Sequence, residues 1–322
     1  MLIDGLGRRI RYLRLSVTPE CNLRCTYCRP PLDSDSPDAG PALTDDRIIR
    51  LCAILAREGV ERIRVTGGEP LLRPGLTDLI RSLTAIPGIQ EVSLTTNGVL
   101  LGEHARGLAA SGLRRVNISM DSLRDERFAS VTGGASLQAV FDSIKEAESA
   151  GIRPIKINCV VMRGVNDDEI ADFAWLTLEN PWHVRFIELM PIGPVARGWS
   201  DLHVSNLEVR ERLSKEVALV PVDGSARYPE YCLEDGRGVI AFISPVSEPF
   251  CARCDRLRLL SDGTLRPCLC SDECVDLGRL MNLGAGDEEL LGAVRDVLMR
   301  KPTCGVAELR RDGSKLMASI GG

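Results

Sequence analysis

Three cysteines fall within eight residues, in the run Cys21-Asn-Leu-Arg-Cys25-Thr-Tyr-Cys28. Thiolates this close together act as metal ligands. A closed cubane iron–sulfur cluster takes four of them, and a structural zinc site also takes four ligands. This segment supplies three, with no fourth Cys or His beside it. A centre held by three protein ligands keeps one position open, which suits chemistry better than bracing. A zinc knuckle that borrows a remote ligand is the alternative reading.

A second group, Cys251, Cys254 and Cys268, has the spacing C-x2-C-x13-C. Spacing alone leaves its metal open, because zinc ribbons use similar pairs and Cys270 or Cys274 could complete a four-ligand zinc site. The neighbours change the weight. Arg256 and Arg258 follow the second cysteine directly, and Arg266 stands near the third. Guanidinium forks suit phosphate oxygens. Three cysteines beside such arginines read as a second open iron–sulfur centre next to an anionic substrate. Cys52, Cys159, Cys232 and Cys304 are scattered and read as ordinary buried thiols. None of the three histidines has ligand spacing to another.

The elements that position these groups repeat. Residues 11–18 alternate and are rich in β-formers, so they predict a strand that ends at the first cysteine loop. Residues 30–42 are dense in Pro, Asp and Ser and predict a loop. Thr44 is expected to cap a helix running to about Glu58, closed by Gly59. Strands follow at 62–66, 91–96, 114–121, 152–161 and 183–190, with helices from about Gly75 and at 101–110, 136–150 and 167–178. Six βα units of this kind imply parallel strands with right-handed crossovers. They are too few for a full eight-fold barrel. The predicted fold is α/β: a partial (β/α)6 TIM-type barrel over residues 1–190, then a C-terminal extension over 191–322 that carries the second cluster. Pro191-Ile-Gly-Pro194 reads as a linker, followed by a helix at 206–215, a strand at 239–244 and a helix at 286–300. Thr66, Thr95, Ser119, Asp121, Asn158 and Glu188 gather at the C-terminal strand ends, the edge where parallel α/β folds place ligands.

The totals bound the function. Hydrophobic residues make up 44% and charged residues 26% of 322, as in a globular protein with a sizeable core. The formal net charge of −5 argues against non-specific nucleic-acid binding, which needs a basic stripe. The opening Met1-Leu-Ile-Asp-Gly-Leu-Gly-Arg-Arg lacks a secretory apolar core, and no run of about 18 apolar residues suggests a membrane span. Twelve cysteines clustered at metal-like spacing in so long a chain fit a reducing cytoplasm better than a disulfide framework.

The C-x3-C-x2-C spacing, with an aromatic before its last cysteine, resembles the signature of radical S-adenosylmethionine (SAM) enzymes. With the second cysteine group and its paired arginines, the run Val184-Arg-Phe-Ile-Glu-Leu-Met190 and the terminal Gly321-Gly322, the chain is similar over its whole length to the GTP 3′,8-cyclase family of molybdenum-cofactor biosynthesis (MoaA). The resemblance implies a lyase with two [4Fe-4S] clusters, the first on Cys21, Cys25 and Cys28 and the second on Cys251, Cys254 and Cys268. It implies SAM contacts at Tyr27, Gly68, Ser119 and Met190. It implies GTP contacts at Arg14, Arg64, Thr95, Lys156, Arg185, Arg256 and Arg258, with Arg62 at a position that is often basic. The implied reaction begins with reductive cleavage of SAM. The resulting radical takes the C3′ hydrogen of GTP, and the C3′ carbon then bonds to C8 of guanine. Gly321 and Gly322 are expected to reach into the active site. A flavodoxin or ferredoxin as electron donor, cyclic pyranopterin monophosphate synthase (MoaC) as the next enzyme and a homodimer belong to the same implied setting. Arg29 and Asp255 depart from the residues usual in the family, and Cys270 and Cys274 are extra thiols. The basic residues fit a physical reading too. Arg14, Arg64, Lys156 and Arg185 sit on four predicted strands, where alternation can turn them inward. Inward cations are costly unless paired, and a triphosphate supplies that pairing; salt bridges to barrel carboxylates are the alternative.

Overall fold

The computed structural model describes residues 1–28, 41–222, 228–307 and 309. Its N-terminal part alternates strand and helix: β1 (Tyr12–Ser16), α1 (Asp45–Arg57), β2 (Arg62–Thr66), α2 (Leu76–Thr84), β3 (Glu91–Thr96), α3 (Leu101–Ala110), β4 (Arg115–Ser119), then α4 (Asp125–Thr132) and α5 (Leu137–Ser149), β5 (Ile155–Val161), α6 (Ile170–Glu179) and β6 (His183–Glu188). Strands β1 to β6 pair in order and in parallel, each with the next. The α/β partial barrel predicted from the six-fold rhythm is the observed fold.

The C-terminal part adds α7 (Trp199–Leu202), α8 (Asn206–Leu213), β7 (Leu219–Pro221), β8 (Glu230–Leu233), β9 (Val239–Ile243), β10 (Arg256–Leu259), β11 (Thr264–Arg266), β12 (Val275–Asp276), α9 (Leu277–Asn282) and α10 (Asp287–Met299). Two of its strands lengthen the parallel sheet. β10 pairs with β1, and β9 pairs with β6. Antiparallel strands finish each side, so the sheet runs β12-β11-β10-β1-β2-β3-β4-β5-β6-β9-β8-β7, with no strand pairing between its two ends among the described residues. The extension therefore brings Arg256 and Arg258 into register beside Tyr12 and Arg14.

Strand alternation divides the side chains. Leu13, Leu15, Ile63, Val65, Ile157, Phe186 and Leu257 point to the helical layer and are fully buried. The residues between them face the interior of the curved sheet. Helices press apolar stripes onto the outer face, as with Ile48, Leu51, Leu55 of α1 and Leu290, Val294, Val297 of α10. α1 and α10 are joined by Arg50 and Arg57 on Asp287.

Local differences from the sequence reading have clear causes. Thr44 stands at the N-cap of α1 but its side chain makes no capping bond; Asp45 and Asp46 supply the favourable charge in the first turn. Gly59, at φ +99°, reverses the chain after α1 as expected. Residues 193–196 form a 3-10 turn rather than a plain linker.

Candidate active site

The first cysteine loop is fixed from three sides. Backbone N–H groups of Arg24 and Thr26 donate to the carbonyls of Thr132 and Val131, at the end of α4. The Tyr27 hydroxyl donates to Asp121 Oδ2 at 2.7 Å, and Asp121 Oδ1 accepts from Val160 N–H at 2.8 Å. On the third side the Gly67-Gly68-Glu69-Pro70 turn meets the chain entering the loop. Gly68 and Glu69 donate to the carbonyls of Thr18 and Glu20. A Cβ at Gly68 would stand 2.0 Å from the Glu20 oxygen, so only glycine fits. Glu69 is buried and accepts from Thr96, Asn97 and Leu71, tying this turn to β3.

Cys21, Cys25 and Cys28 are half-buried on one wall of a cavity of about 560 Å³. Burial pushes the Cys25 thiol far above its usual range, and the charges of Asp121, Cys28 and Cys21 push it further. A cationic centre between the three sulfurs would offset the cost of the Cys25 thiolate. This donor set fits an iron–sulfur centre, which binds thiolates and carries the compensating charge. Among the described residues no group of three His, Cys, Asp or Glu side chains is placed to hold a single metal ion.

Cys251, Cys254 and Cys268 line the far wall of the same cavity: Cys254 precedes the start of β10, whereas the Cys21–Cys28 loop follows the end of β1, which runs parallel to it. Cys268 is set apart by its neighbours. The Cys270 thiol donates to it, backbone N–H groups of Cys270 and Ser271 add, and the Lys301 ammonium helps, so its pKa falls below the usual thiol range although burial opposes. Cys270 rises correspondingly. Burial holds the Cys251 thiol above its usual range, opposed by N–H groups of Gly305 and Val306, while Cys304, read from sequence as a scattered thiol, lies against it and raises it further. A Cβ at Gly305 would stand 2.5 Å from the Cys268 sulfur. The turn at 304–306 is therefore a cradle shaped around these sulfurs.

The basic residues lie between the two walls. Arg64, Arg14 and Arg258 are cross-strand neighbours on β2, β1 and β10, and Arg62, Tyr12 and Arg256 form the next row. Lys156 and Arg185 extend the positive lining from β5 and β6. Burial lowers the pKa of Arg14, and Arg258 and Arg64 lower it further. Arg258 is brought to about 10 by burial and Arg256. Arg185 is brought to about 9 by burial and Arg64, and Lys156 to about 8 by burial, Arg185 and Arg115. Burial and mutual repulsion lower the pKa of these cations, with Glu230 opposing at Lys156; Arg62 by contrast donates to Asp255 at 2.8 Å. The Nε atoms of Arg64, Arg185 and Arg256, the Thr95 hydroxyl and the Tyr12 hydroxyl are buried without a hydrogen-bond partner among the described residues. Unsatisfied buried donors next to clustered positive charge call for an anion.

Arg256 differs. Its guanidinium lies 4.9 Å from the Phe250 ring centre and bonds to the Tyr228 hydroxyl. Burial lowers its pKa, but Tyr228, Cys254, Tyr12 and Asp255 more than offset this.

Cys21, Cys25, Tyr27, Cys28, Gly68, Ser119 and Met190, then Arg14, Arg64, Thr95, Lys156 and Arg185, and Cys251, Cys254, Arg256, Arg258 and Cys268 all line this one cavity. Gly321 and Gly322 lie outside the described residues. Of the polar strand ends, Thr66, Thr95, Ser119, Asp121 and Asn158 face the cavity. Glu188 does not: it accepts from Asn206, Val246 and Ser247 and anchors the chain beyond β6. Sequence reasoning missed Tyr12, Arg115, Tyr228, Phe250 and Lys301, which share the lining. Strand alternation signals Tyr12, two residues before Arg14, and Arg115, at the start of β4; Tyr228, Phe250 and Lys301 arrive from loops and turns that carry no such period.

Residues 15–176 match the radical SAM superfamily, and the chain belongs to it. Residues 182–305 match the molybdenum cofactor synthesis C family. Within the superfamily the chain is a member of the GTP 3′,8-cyclase family. It is 43% identical over 305 residues to the GTP 3′,8-cyclase of Pelotomaculum thermopropionicum, covering 93% of each chain. It is 42% identical over 322 residues to that of Moorella thermoacetica, covering 99% of each. In fold it is similar to Streptococcus suis SuiB bound to the precursor peptide SuiA, with a TM-score of 0.62 at 15% identity, covering 94% of this chain and 67% of that one.

Proposed function

We propose that the chain catalyses the radical SAM cyclisation of GTP to 3′,8-cyclo-7,8-dihydro-GTP, the first step of molybdenum-cofactor biosynthesis. The observation that carries this is one cavity lined by two three-cysteine groups and by a band of buried, mutually repelling cations. The two proposed parts are a catalytic barrel over residues 1–190 and an extension over 191–322 that closes the substrate end. Cys21, Cys25 and Cys28 hold the first [4Fe-4S] cluster; Cys251, Cys254 and Cys268 hold the second. When bound, the first cluster with SAM supplies the 5′-deoxyadenosyl radical that removes the C3′ hydrogen of GTP, and the second lies at the guanine end.

The chain's own residues bind, orient and shield. Tyr27, Gly68, Ser119 and Met190 receive SAM beside the first cysteine loop. Arg14, Arg64, Thr95, Lys156, Arg185, Arg256 and Arg258 receive GTP. A triphosphate between them converts mutual repulsion into charge-assisted hydrogen bonds, worth about 1.5–3 kcal/mol each. The surrounding walls keep water from the radical. An electron donor of the flavodoxin or ferredoxin type, cyclic pyranopterin monophosphate synthase as the following enzyme, a homodimer and a cytoplasmic location complete the proposal. Among the described residues no helix is long and apolar enough to cross a membrane.

Anaerobic incubation with GTP, SAM and a reductant, with mass analysis of the nucleotides, tests the reading. The substrate loses one hydrogen atom and regains an electron and a proton, so a product isomeric with GTP is expected, together with 5′-deoxyadenosine. Formation of 5′-deoxyadenosine with GTP left unchanged would overturn it.

A further inference from the structure

Lys301 stands two residues past α10, and its side chain turns inward until the residue is only 5% exposed. Its Nζ donates to the Arg256 carbonyl at 2.6 Å and to the Pro267 carbonyl. Those acceptors belong to the two stretches that bear the second cysteine group: Arg256 is two residues past Cys254, and Pro267 immediately precedes Cys268. The backbone of 301–302 is itself tied to the third cysteine. Arg8, ion-paired to the buried Asp4, donates to the carbonyls of Cys251, Lys301 and Pro302. One ammonium and one guanidinium thus fix all three cysteine-bearing segments relative to each other.

A buried ammonium costs several kcal/mol unless compensated. Two carbonyls satisfy two of its three donors but bring no full negative charge, and among the described residues no carboxylate is ion-paired with it. Burial drives its pKa down, while Cys254 and Cys268 hold it up as the foremost opposing charges, ahead of Asp4, which Arg8 already engages. The compensation is thus supplied by thiolates, and it is mutual.

We propose that Lys301 is a positioning residue for the second iron–sulfur centre, bridging the Cys254 and Cys268 segments and favouring the centre's reduced state by its charge. The proposal rests on the assignment of that centre to Cys251, Cys254 and Cys268. One-electron reduction adds a negative charge, and a fixed cation at the thiolates stabilises the state that carries it. Arg256 and Arg258 also stand near, but they face the substrate band; Lys301 bonds instead to the frame that carries the cysteines.

The test is a potentiometric titration of the cluster-loaded full chain, followed by electron paramagnetic resonance, on the wild type and on Lys301→Gln and Lys301→Arg. Glutamine can still donate to a carbonyl but has no charge. In Lys301→Gln the ratio of reduced to oxidised second centre at a given potential should fall about tenfold, a downward shift of about 59 mV for a one-electron couple. The first centre should not move, and Lys301→Arg should restore the wild-type value. An unchanged midpoint in a fully loaded Lys301→Gln would overturn the proposal. If Lys301→Gln does not load, Lys301→Arg decides. Loading with the wild-type midpoint supports the charge, and failure to load overturns it in favour of side-chain shape. A wild-type chain that keeps its second centre after Cys268→Ser would instead refute the ligand assignment, a separate outcome.

Discussion

Arg185→Met removes one cation from the middle of the cavity at nearly constant side-chain length. Arg185 is 8% exposed, donates to Asn117 Oδ1, and keeps its Nε without a partner among the described residues. Its pKa stands at about 9 against an ordinary 12.5, from burial and then Arg64. At about 1.4 kcal/mol per pH unit, holding that charge costs roughly 5 kcal/mol in the nucleotide-free enzyme. Loss of the bond to Asn117 returns about 1.5–3 kcal/mol of this. The nucleotide-free variant should therefore unfold at higher denaturant concentration, with a gain of about 2–3.5 kcal/mol. GTP should bind more weakly, because one charge-assisted bond of about 1.5–3 kcal/mol is lost, or roughly tenfold to a hundredfold in Kd. The assays are chemical denaturation of the nucleotide-free chain and anaerobic equilibrium binding of GTP to the cluster-loaded enzyme. A structural arginine gives the opposite pair of results. A less stable variant that binds GTP as well as the wild type would refute the reasoning.

Replacing Cys21, Cys25 or Cys28 by Ala should abolish reductive SAM cleavage while the spectrum of the second cluster persists; retained 5′-deoxyadenosine formation would remove the first loop from the chemistry. Arg256→Ala or Arg258→Ala should weaken GTP binding by roughly tenfold to a hundredfold and leave substrate-free SAM cleavage unchanged. Lys156 has a folded-state pKa lowered from 10.5 to about 8 by burial first and then by Arg185. In the free enzyme its ammonium is thus lost as pH rises through about 8, so GTP affinity should fall above that pH, by up to tenfold per pH unit. Lys156→Met should bind weakly with no such slope, and an unaltered slope would assign it to another group. Gly305→Ala places a Cβ 2.5 Å from the Cys268 sulfur and should cost the second cluster its iron without touching the first; full iron content in this variant would show that the 304–306 turn gives way.

The barrel was legible because its strands carry two periods at once. In Ile155–Val161 every second residue is buried in the helical layer, and Lys156 and Asn158 between them turn inward. The helices matched to within a few residues where they are long and amphipathic, as with α1 and α5. α4 escaped notice because eight residues with three buried positions give little periodic signal. The extension was less legible. Arg256-Leu-Arg-Leu259 alternates, but the arginines drew attention as ligand groups and hid a strand that pairs across about 240 residues of chain with β1. Pairing at such separation leaves no local trace. Cysteine spacing singled out the two groups, while Cys304 joined the second only through the fold. Lys301 and Arg8 act through backbone carbonyls of distant segments, which no motif records.

The central claim is that GTP lies across this cavity with its C3′ hydrogen presented to the first cysteine wall. GTP deuterated at C3′, incubated anaerobically with the cluster-loaded chain, SAM and a reductant, tests this most directly. The account predicts 5′-deoxyadenosine carrying one deuterium, formed in step with a cyclised nucleotide that has lost it. Unlabelled 5′-deoxyadenosine, formed at full yield beside a product that keeps its deuterium, would contradict it.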